Sequence, residues 1–590
     1  MASNTNGHEF PSPFKLSEHS KPVTLVELRM RRFSGEIRAK PRWWEKLEDP
    51  AIAAKWREEI VEQDAALVDR LWGGEERYRD NRKRWPRDPI TEAQVDYIFE
   101  ELRYEASQRD PVTGIFVSTP GNLVLEVMLV TYELLQATSV PKVYESHSLI
   151  PAALRGELVN AVKLLEDVPD EQKDWHPGSN EQVLDLVHPS LYCLRIGESL
   201  VRDEATGTSE VITEEAYKTA RLDVRAFLPH DGRWPFDRYA YIVSTKYQWL
   251  PTDFEVSHGG DVKPLAYINN LHPTRHAALY PPITSILSRF LPLFERVLSD
   301  VLSPERPLAV TVDPMAWYDL TTHPPPDWFE QEAYDQWEHD YGWPVVPDPA
   351  PFQPPDPTQR IPYPLRGRKL QVIVKLANIH LTPDRPAYPG GAWHVEGMAN
   401  ESIVATGLYY YACENISESR LAFRAAVGGA HDALEYEQND FRGWDVVYGF
   451  TDDDPLNQPR GHIVATEGKC VAFPNVYQHR VEPFELADPT RPGYRKILCF
   501  FLVNPEVEIL STTRVPPQQE DWVMEEVERA PALQDLPVEL FELIAEHVRE
   551  GLLSREEAER HREELMKERS NFVVKFNKHV YEIEFFMCEH

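Results

Sequence analysis

The pattern of apolar and polar positions divides the chain into a helical first part, a strand-rich middle and a helical end. After a polar, proline-punctuated stretch over 1–40, Asp49-Pro50 supplies an N-cap and an N1 proline. Ile52, Trp56, Ile60, Leu67, Leu71 and Trp72 follow at helical spacing. Thr91 with Gln94 predicts a capping box opening a second helix through Val95, Ile98, Phe99 and Leu102. Residues 121–137 and 151–165 predict two more. From about 186 to 256, short apolar runs broken by Gly, Asp and Pro predict strands, one of them over 239–244. Asn269, Asn270 and His272 read as turn and cap formers ahead of a helix over 282–302.

Proline is dense between Pro324 and Pro364, and each one removes a backbone donor, so that stretch predicts an ordered linker without regular sheet. A short Trp-rich helix near 328–337 interrupts it, and Trp328, Tyr334, Trp337 and Trp343 predict burial there. Residues 370–381, 405–412, 420–427, 462–473, 477–484 and 495–503 then read as strands with nothing helical between them. Tyr388-Pro389-Gly390-Gly391 is a turn that delivers Trp393 to Glu396 onto a further strand, and 428–458 is a charged, Gly- and Asp-rich excursion. The economical arrangement is a double-stranded β-helix, the jelly-roll or cupin-like barrel. Helices over 537–549 and from the Ser554/Glu557 capping box to Glu568 follow, with a final strand over 572–586.

The fold class is thus α+β, a double-stranded β-helix core with N- and C-terminal helical additions. Its expected divisions are a mainly helical region 1–185, a mixed region 186–323, the Pro-rich linker 324–368, the barrel 369–515 and the C-terminal helices and strand 516–590.

Composition changes this picture in what it disfavours. Lys and Arg number 62 against 96 Asp and Glu, a net charge of −34, which argues against nucleic-acid or anionic-membrane partners. The five cysteines are odd in number and far apart, and read as reduced thiols of an intracellular protein. No stretch approaches the roughly 18 consecutive apolar residues of a membrane span, and the polar N-terminus lacks a signal-peptide core, so a cytoplasmic location is expected.

The chemistry concentrates at Gly390-Gly391-Ala392-Trp393-His394-Val395-Glu396. His394 and Glu396 are two apart, so on an extended strand they point to one face and can grip one metal ion. His479, on a later strand, would complete a 2-His-1-carboxylate face, which leaves positions of an octahedral Fe(II) open for a co-substrate and O2. Arg495 opens a strand that is apolar on both faces, so its guanidinium wants an anion there. A dicarboxylate co-substrate and an internal salt bridge both answer that need.

His394-Val395-Glu396, His479-Arg480-Val481-Glu482-Pro483 and Gly493-Tyr494-Arg495 resemble the H-x-D/E…H…R pattern of the Fe(II)/2-oxoglutarate-dependent dioxygenases, in particular the prolyl-hydroxylase-like branch. Across nearly its whole length the chain also resembles a fungal family defined only as a domain of unknown function, through Trp249-Leu250-Pro251, the run from Tyr267 to Pro273, and Val515-Pro516-Pro517-Gln518-Gln519. The first resemblance implies that His394, Glu396 and His479 hold Fe(II). It implies that Arg495 pairs with the distal carboxylate of 2-oxoglutarate, with Arg491 as the alternative. Tyr409 matches a tyrosine that reaches the same carboxylate, or else lines the barrel. The implied reaction oxidises a C–H bond of a small molecule, an amino acid or secondary metabolite, with O2, giving succinate and CO2. The alternatives are a protein hydroxylase or Jumonji-like demethylase, a cupin-type enzyme without 2-oxoglutarate, and a barrel without chemistry that serves as a scaffold.

Overall fold

The computed structural model describes residues 8–14, 20–73, 84–108, 135–203, 206–221, 240–428, 437, 440–534 and 536–584. Nine strands carry the architecture: β1 (Val183–Val187), β2 (Thr252–Val256), β3 (Lys369–Leu381), β4 (Ile403–Glu414), β5 (Ser419–Ala426), β6 (Asn457–Ala465), β7 (Cys470–Pro474), β8 (Gln478–Val481) and β9 (Gly493–Val503). The result is a mixed α/β structure built on a large antiparallel sheet. That sheet runs β7-β4-β9-β3-β2, extended at one end by Tyr144–Ser146 and Gln136–Ala137 and at the other by Val262–Pro264, while β1 also pairs with β3. A smaller sheet, β6-β5-β8, faces it.

Strand periodicity explains the layering. Along β9, Cys499, Phe501 and Val503 point toward the smaller sheet and pack with Ile373, Leu408, Phe423, Ile463 and Phe473. The alternate residues Leu498, Phe500 and Leu502 point outward, onto the helix Tyr280–Leu302. This helix presses directly on the sheet at Gly407, where a Cβ would stand 2.8 Å from both Phe290 and Phe294. Residues 324–364 contain no strand, as proline requires.

Several expectations need correction. Residues 240–242 form a single 3-10 turn, not part of a strand. Helix Phe441–Tyr448 stands inside the 428–458 excursion, where nothing helical is expected between the strands. The C-terminal helix runs Arg555–Phe576 and ends in a π turn over Asn577–Tyr581, so the expected final strand is helical from 572 to 581; Phe572, Phe576 and Val580 recur at i+4 and are buried together. Trp328 is exposed and rests on Phe329, whereas Trp343 is buried. The Thr91 hydroxyl accepts from Gln94 N, but the Gln94 side chain goes to Arg29 and Asp348, so the box is half formed. The helix expected over 121–137 falls mostly outside the described residues, and its end, Gln136–Ala137, is a strand. Among the described residues no helix is long and apolar enough to cross a membrane. Cys193, Cys413, Cys470 and Cys499 are free thiols.

Candidate metal centre

Gly390 adopts φ +91°, and a Cβ there would lie 2.8 Å from the Val481 carbonyl, so only glycine lets the chain turn this close to β8. Gly391 N then donates to Val481 O at 2.9 Å. Three residues on, His394 and His479 form an antiparallel bridge in which each donates its N–H to the other's carbonyl, at 3.2 and 3.0 Å. Two residues 85 positions apart in sequence thereby become direct cross-strand partners, with ring centroids 4.4 Å apart. His479 Nε2 lies 3.2 Å from Glu396 Oε1, and His394 Nε2 lies 3.8 Å from the same oxygen. The three residues present ligand atoms that all fall within 4.8 Å of one another.

The ring chemistry suits a metal. His394 Nδ1 donates to Ala392 O at 2.8 Å, which fixes the tautomer and leaves the Nε2 lone pair toward Glu396. The His479 ring packs against Phe473, and its Nδ1 is buried without a partner among the described residues. Burial acts to raise the Glu396 carboxyl, but the hydrogen bond with His479 and the influence of His394 outweigh it and hold the group at about 2. Burial and the neighbouring His479 push His394 down to about 4. A neutral His394 beside an ionised Glu396 is the pairing of protonation states that a divalent cation needs.

The loop carrying Glu396 is held from behind. Asn475, fully buried, accepts from Glu396 N at 2.8 Å and donates to Glu396 O at 2.9 Å and Ile403 O at 3.1 Å. Val395 and Met398 pack on Phe572 and Phe576 of the C-terminal helix, and Asn577 donates to Trp393 O. Asn475→Ala strips three backbone groups of their partner. It is expected to cost on the order of 1–3 kcal/mol in urea unfolding and to weaken metal binding by roughly 10–100-fold, measured by titration.

Arg495 lies on the inward face of β9, 2% exposed, donating to Ser419 Oγ at 2.7 Å; its Nε has no partner among the described residues. Among the described residues no carboxylate lies within ion-pair distance of it, so the internal salt bridge that would have satisfied it is absent. Arg491 is exposed and paired with Asp488 at 3.0 Å. Tyr409 is placed on the wrong face for Arg495. It points outward among Ala405, Tyr411 and Leu498, and its buried hydroxyl has no partner among the described residues. Its neighbour Tyr410 points inward, with the Arg495 guanidinium 5.6 Å from its ring, and Phe484 is on another side at 5.3 Å. Lys375 on β3 shares the inward face, and its charge reaches both His394 and Glu396. The polar residues around Asn269 are turn formers as read: Asn269 and Asn270 donate to carbonyls of 188–192, and Asn270 takes φ +69°.

A second group, His176, Asp185 and His188, also brings its ligand atoms within 4.8 Å of one another and went unread in the sequence. Its signal was Asp185, an acid at a buried position of the apolar strand Val183-Leu184-Asp185-Leu186-Val187. Burial pushes His188 down to about 3. Unlike His394, whose side chain is 36% exposed and screened at its open edge, His188 is buried, so its shift contributes to acid stability alongside the downward shifts of His147, His380 and His462. Its folded pKa lies below the unfolded value of 6.5, so between those limits the unfolded chain binds one more proton and stability rises with pH. With chelator present, the His188 share of the cost of lowering the pH from 6.5 to 5 is expected to be on the order of 2 kcal/mol in urea unfolding, and His188→Gln to reduce the pH dependence by about that amount.

No curated protein sequence matches this chain. Similar solved structures include a selenomethionine-labelled Fe(II)/(alpha)ketoglutarate-dependent dioxygenase TqaL, 12% identical over 62% of this chain and 96% of that one, TM-score 0.22. Another is the dioxygenase for auxin oxidation in rice, 13% identical over 62% and 74%, TM-score 0.19. A third is IDO from Bacillus thuringiensis, 11% identical over 23% of this chain, TM-score 0.14; the match spans 46% of that chain. TM-scores this low do not establish a common fold. The decisive match is to a family defined by sequence: its N-terminal model covers residues 1–59 and its main model residues 92–526, a span that contains the Gly-Gly turn, both bridged histidines and Arg495. With most of its length inside that match, the chain belongs to the family described as "Protein of unknown function (DUF4246)".

Proposed function

We propose that this protein is a non-haem Fe(II)/2-oxoglutarate-dependent oxygenase that oxidises a C–H bond of a small-molecule substrate. The observation that carries the proposal is the His394–His479 bridge with Glu396 beside it, which gathers a 2-His-1-carboxylate set, together with the unpaired Arg495 on the facing sheet. The pairing order supports it. Counting β3, the His394 segment and β4 to β9 as eight strands, the large sheet takes the first, eighth, third and sixth. The small sheet takes the fifth, fourth and seventh, with the second joined through the bridge. That alternation is what a double-stranded β-helix requires.

His394, Glu396 and His479 would hold Fe(II), which together with 2-oxoglutarate supplies the activation of O2, with succinate and CO2 as co-products. The chain's own residues do the rest. Ala392 O keeps the His394 ring in its ligating tautomer. Asn475 fixes the backbone on both sides of Glu396. Arg495, backed by Ser419, presents its guanidinium to the distal carboxylate of the co-substrate, where a buried unpaired cation gives a charge-assisted contact. Tyr410 and Phe484 wall that position and exclude water from it.

The test is anaerobic titration of the purified protein with Fe(II) and then 2-oxoglutarate, watching for the weak visible charge-transfer band of a keto acid chelated to iron. A band that needs both components is the expected result. Iron binding without the band would move the assignment to cupin chemistry that does not use 2-oxoglutarate. Failure to bind iron would leave the scaffold alternative.

A further inference from the structure

We propose that His176, Asp185 and His188 form a second metal site, separate from the first, that takes a borderline divalent cation of the zinc class. The fold builds the site from both sides. His176 N donates to Val183 O at 2.8 Å and Asp185 N to Asp174 O at 2.9 Å, around a bridge between Trp175 and Leu184, so the segment before β1 is pinned to β1 itself. His188 follows the end of β1, and its carbonyl is gripped by Asn270 at 2.9 Å. The backbone at all three positions is thereby held in place. His176 Nδ1 lies 2.7 Å from Asp185 Oδ2, and the two imidazole rings are 5.3 Å apart.

Asp185 supplies the observation that points to a ligand. The residue is 4% exposed, and its other oxygen, Oδ1, is buried without a hydrogen-bond partner among the described residues. A carboxylate taken out of water with half its acceptor capacity unused is costly; among the described residues no basic side chain makes an ion pair with it apart from His176, and Lys375 contributes only its longer-range charge. The arginines nearby are committed elsewhere: Arg562 and Arg555 both pair with Asp174, at 2.5 and 2.9 Å. A cation between the two rings and the carboxylate would use the free oxygen and neutralise the charge. His188 Nδ1 also faces Ser190 N at 3.3 Å, a long contact that a metal bond would outweigh. Two nitrogens and one carboxylate oxygen are a zinc-type donor set with one position left for water. Because β1 pairs with the central strand β3, the bound ion would clamp the segment 174–188 onto the large sheet.

The experiment titrates chelator-stripped full-length protein with Zn2+ and counts equivalents, since zinc can also enter the His394–Glu396–His479 set. Two equivalents are expected for the unaltered chain. One is expected for Asp185→Asn, which keeps the shape of the side chain, and for His176→Ala, which changes a half-exposed ring and spares the core. His479→Ala should also leave one, and Asp185→Asn with His479→Ala none. Zinc should raise the melting temperature of His479→Ala and not that of the double variant. The inference is overturned if Asp185→Asn and His176→Ala still bind two equivalents, if the unaltered chain binds a single equivalent that His479→Ala removes, or if it binds none. None of these outcomes depends on oxygenase activity, so this site and the proposed iron site stand or fall separately.

Discussion

His479→Ala is expected to abolish both iron binding and 2-oxoglutarate-dependent succinate formation while leaving the protein folded. His479 contributes the most buried of the three candidate ligand groups, 5% exposed, and the one nearest Glu396. Losing it removes a ligand, so the drop in affinity should far exceed the roughly 10–100-fold that loss of an outer partner costs. The backbone half of the His394–His479 bridge does not need the side chain, so the strand pairing persists. The ring's contacts with Phe473 and Phe423 are lost, at a cost on the order of 2–3 kcal/mol, readable as a lower melting temperature. His394→Ala, at the more open edge, should lose iron equally and cost less stability. The measurement is bound iron per chain beside succinate formed per chain. Iron retained near one equivalent in either variant, with succinate formation intact, would sink the assignment.

The parts of this site that were legible in the sequence are those written in local chemistry. Gly390-Gly391 announced a tight approach, His394 and Glu396 announced a shared face, and Arg495 announced itself as a charge in an apolar strand. What stayed hidden depends on parity and on distant partners. Tyr409 and Tyr410 are adjacent on β4, and β4 carries irregular register against β9 between Ile403 and Ala405 and between Tyr410 and Ala412. A one-residue slip moves a side chain to the other face, so sequence position could not say which tyrosine faces Arg495.

The fold divides the same way. Near-continuous apolar runs such as 370–381 and 495–503 appear as β3 and β9 within two residues, because a strand buried on both faces has little else to become. The final segment misled because Phe572-Val573-Val574 is β-rich in composition while its burial repeats every four residues. Helix Phe441–Tyr448 had the same kind of signal, with Trp444, Val447 and Tyr448 buried at helical spacing, obscured by the Gly- and Asp-rich residues around it. His176, Asp185 and His188 carried no recognisable motif. Only the bridge from Trp175 to Leu184 brings the first of them back over the strand that holds the second.

Arg495→Met is expected to separate the role of that guanidinium in the co-substrate site from any role in the fold. A buried cation with one hydroxyl partner and no carboxylate within reach among the described residues is a poor stabiliser, since its desolvation is not offset by an ion pair. Methionine fills similar volume between Tyr410 and Phe484, so the melting temperature should hold or rise. Iron binding should be unchanged, because Arg495 is not among the ligand groups. The KM for 2-oxoglutarate should rise by about 30-fold or more, the scale of removing one partner of a buried charge pair. Arg495→Lys should fall between, keeping the charge and losing the planar two-point contact. An unchanged KM in Arg495→Met would remove the co-substrate role, and a parallel loss of iron would show that the residue supports the metal set instead. A large fall in melting temperature would mean that the cation has a structural partner after all, and the carboxylate of 2-oxoglutarate would no longer be needed to explain why an arginine stands on the inner face of β9.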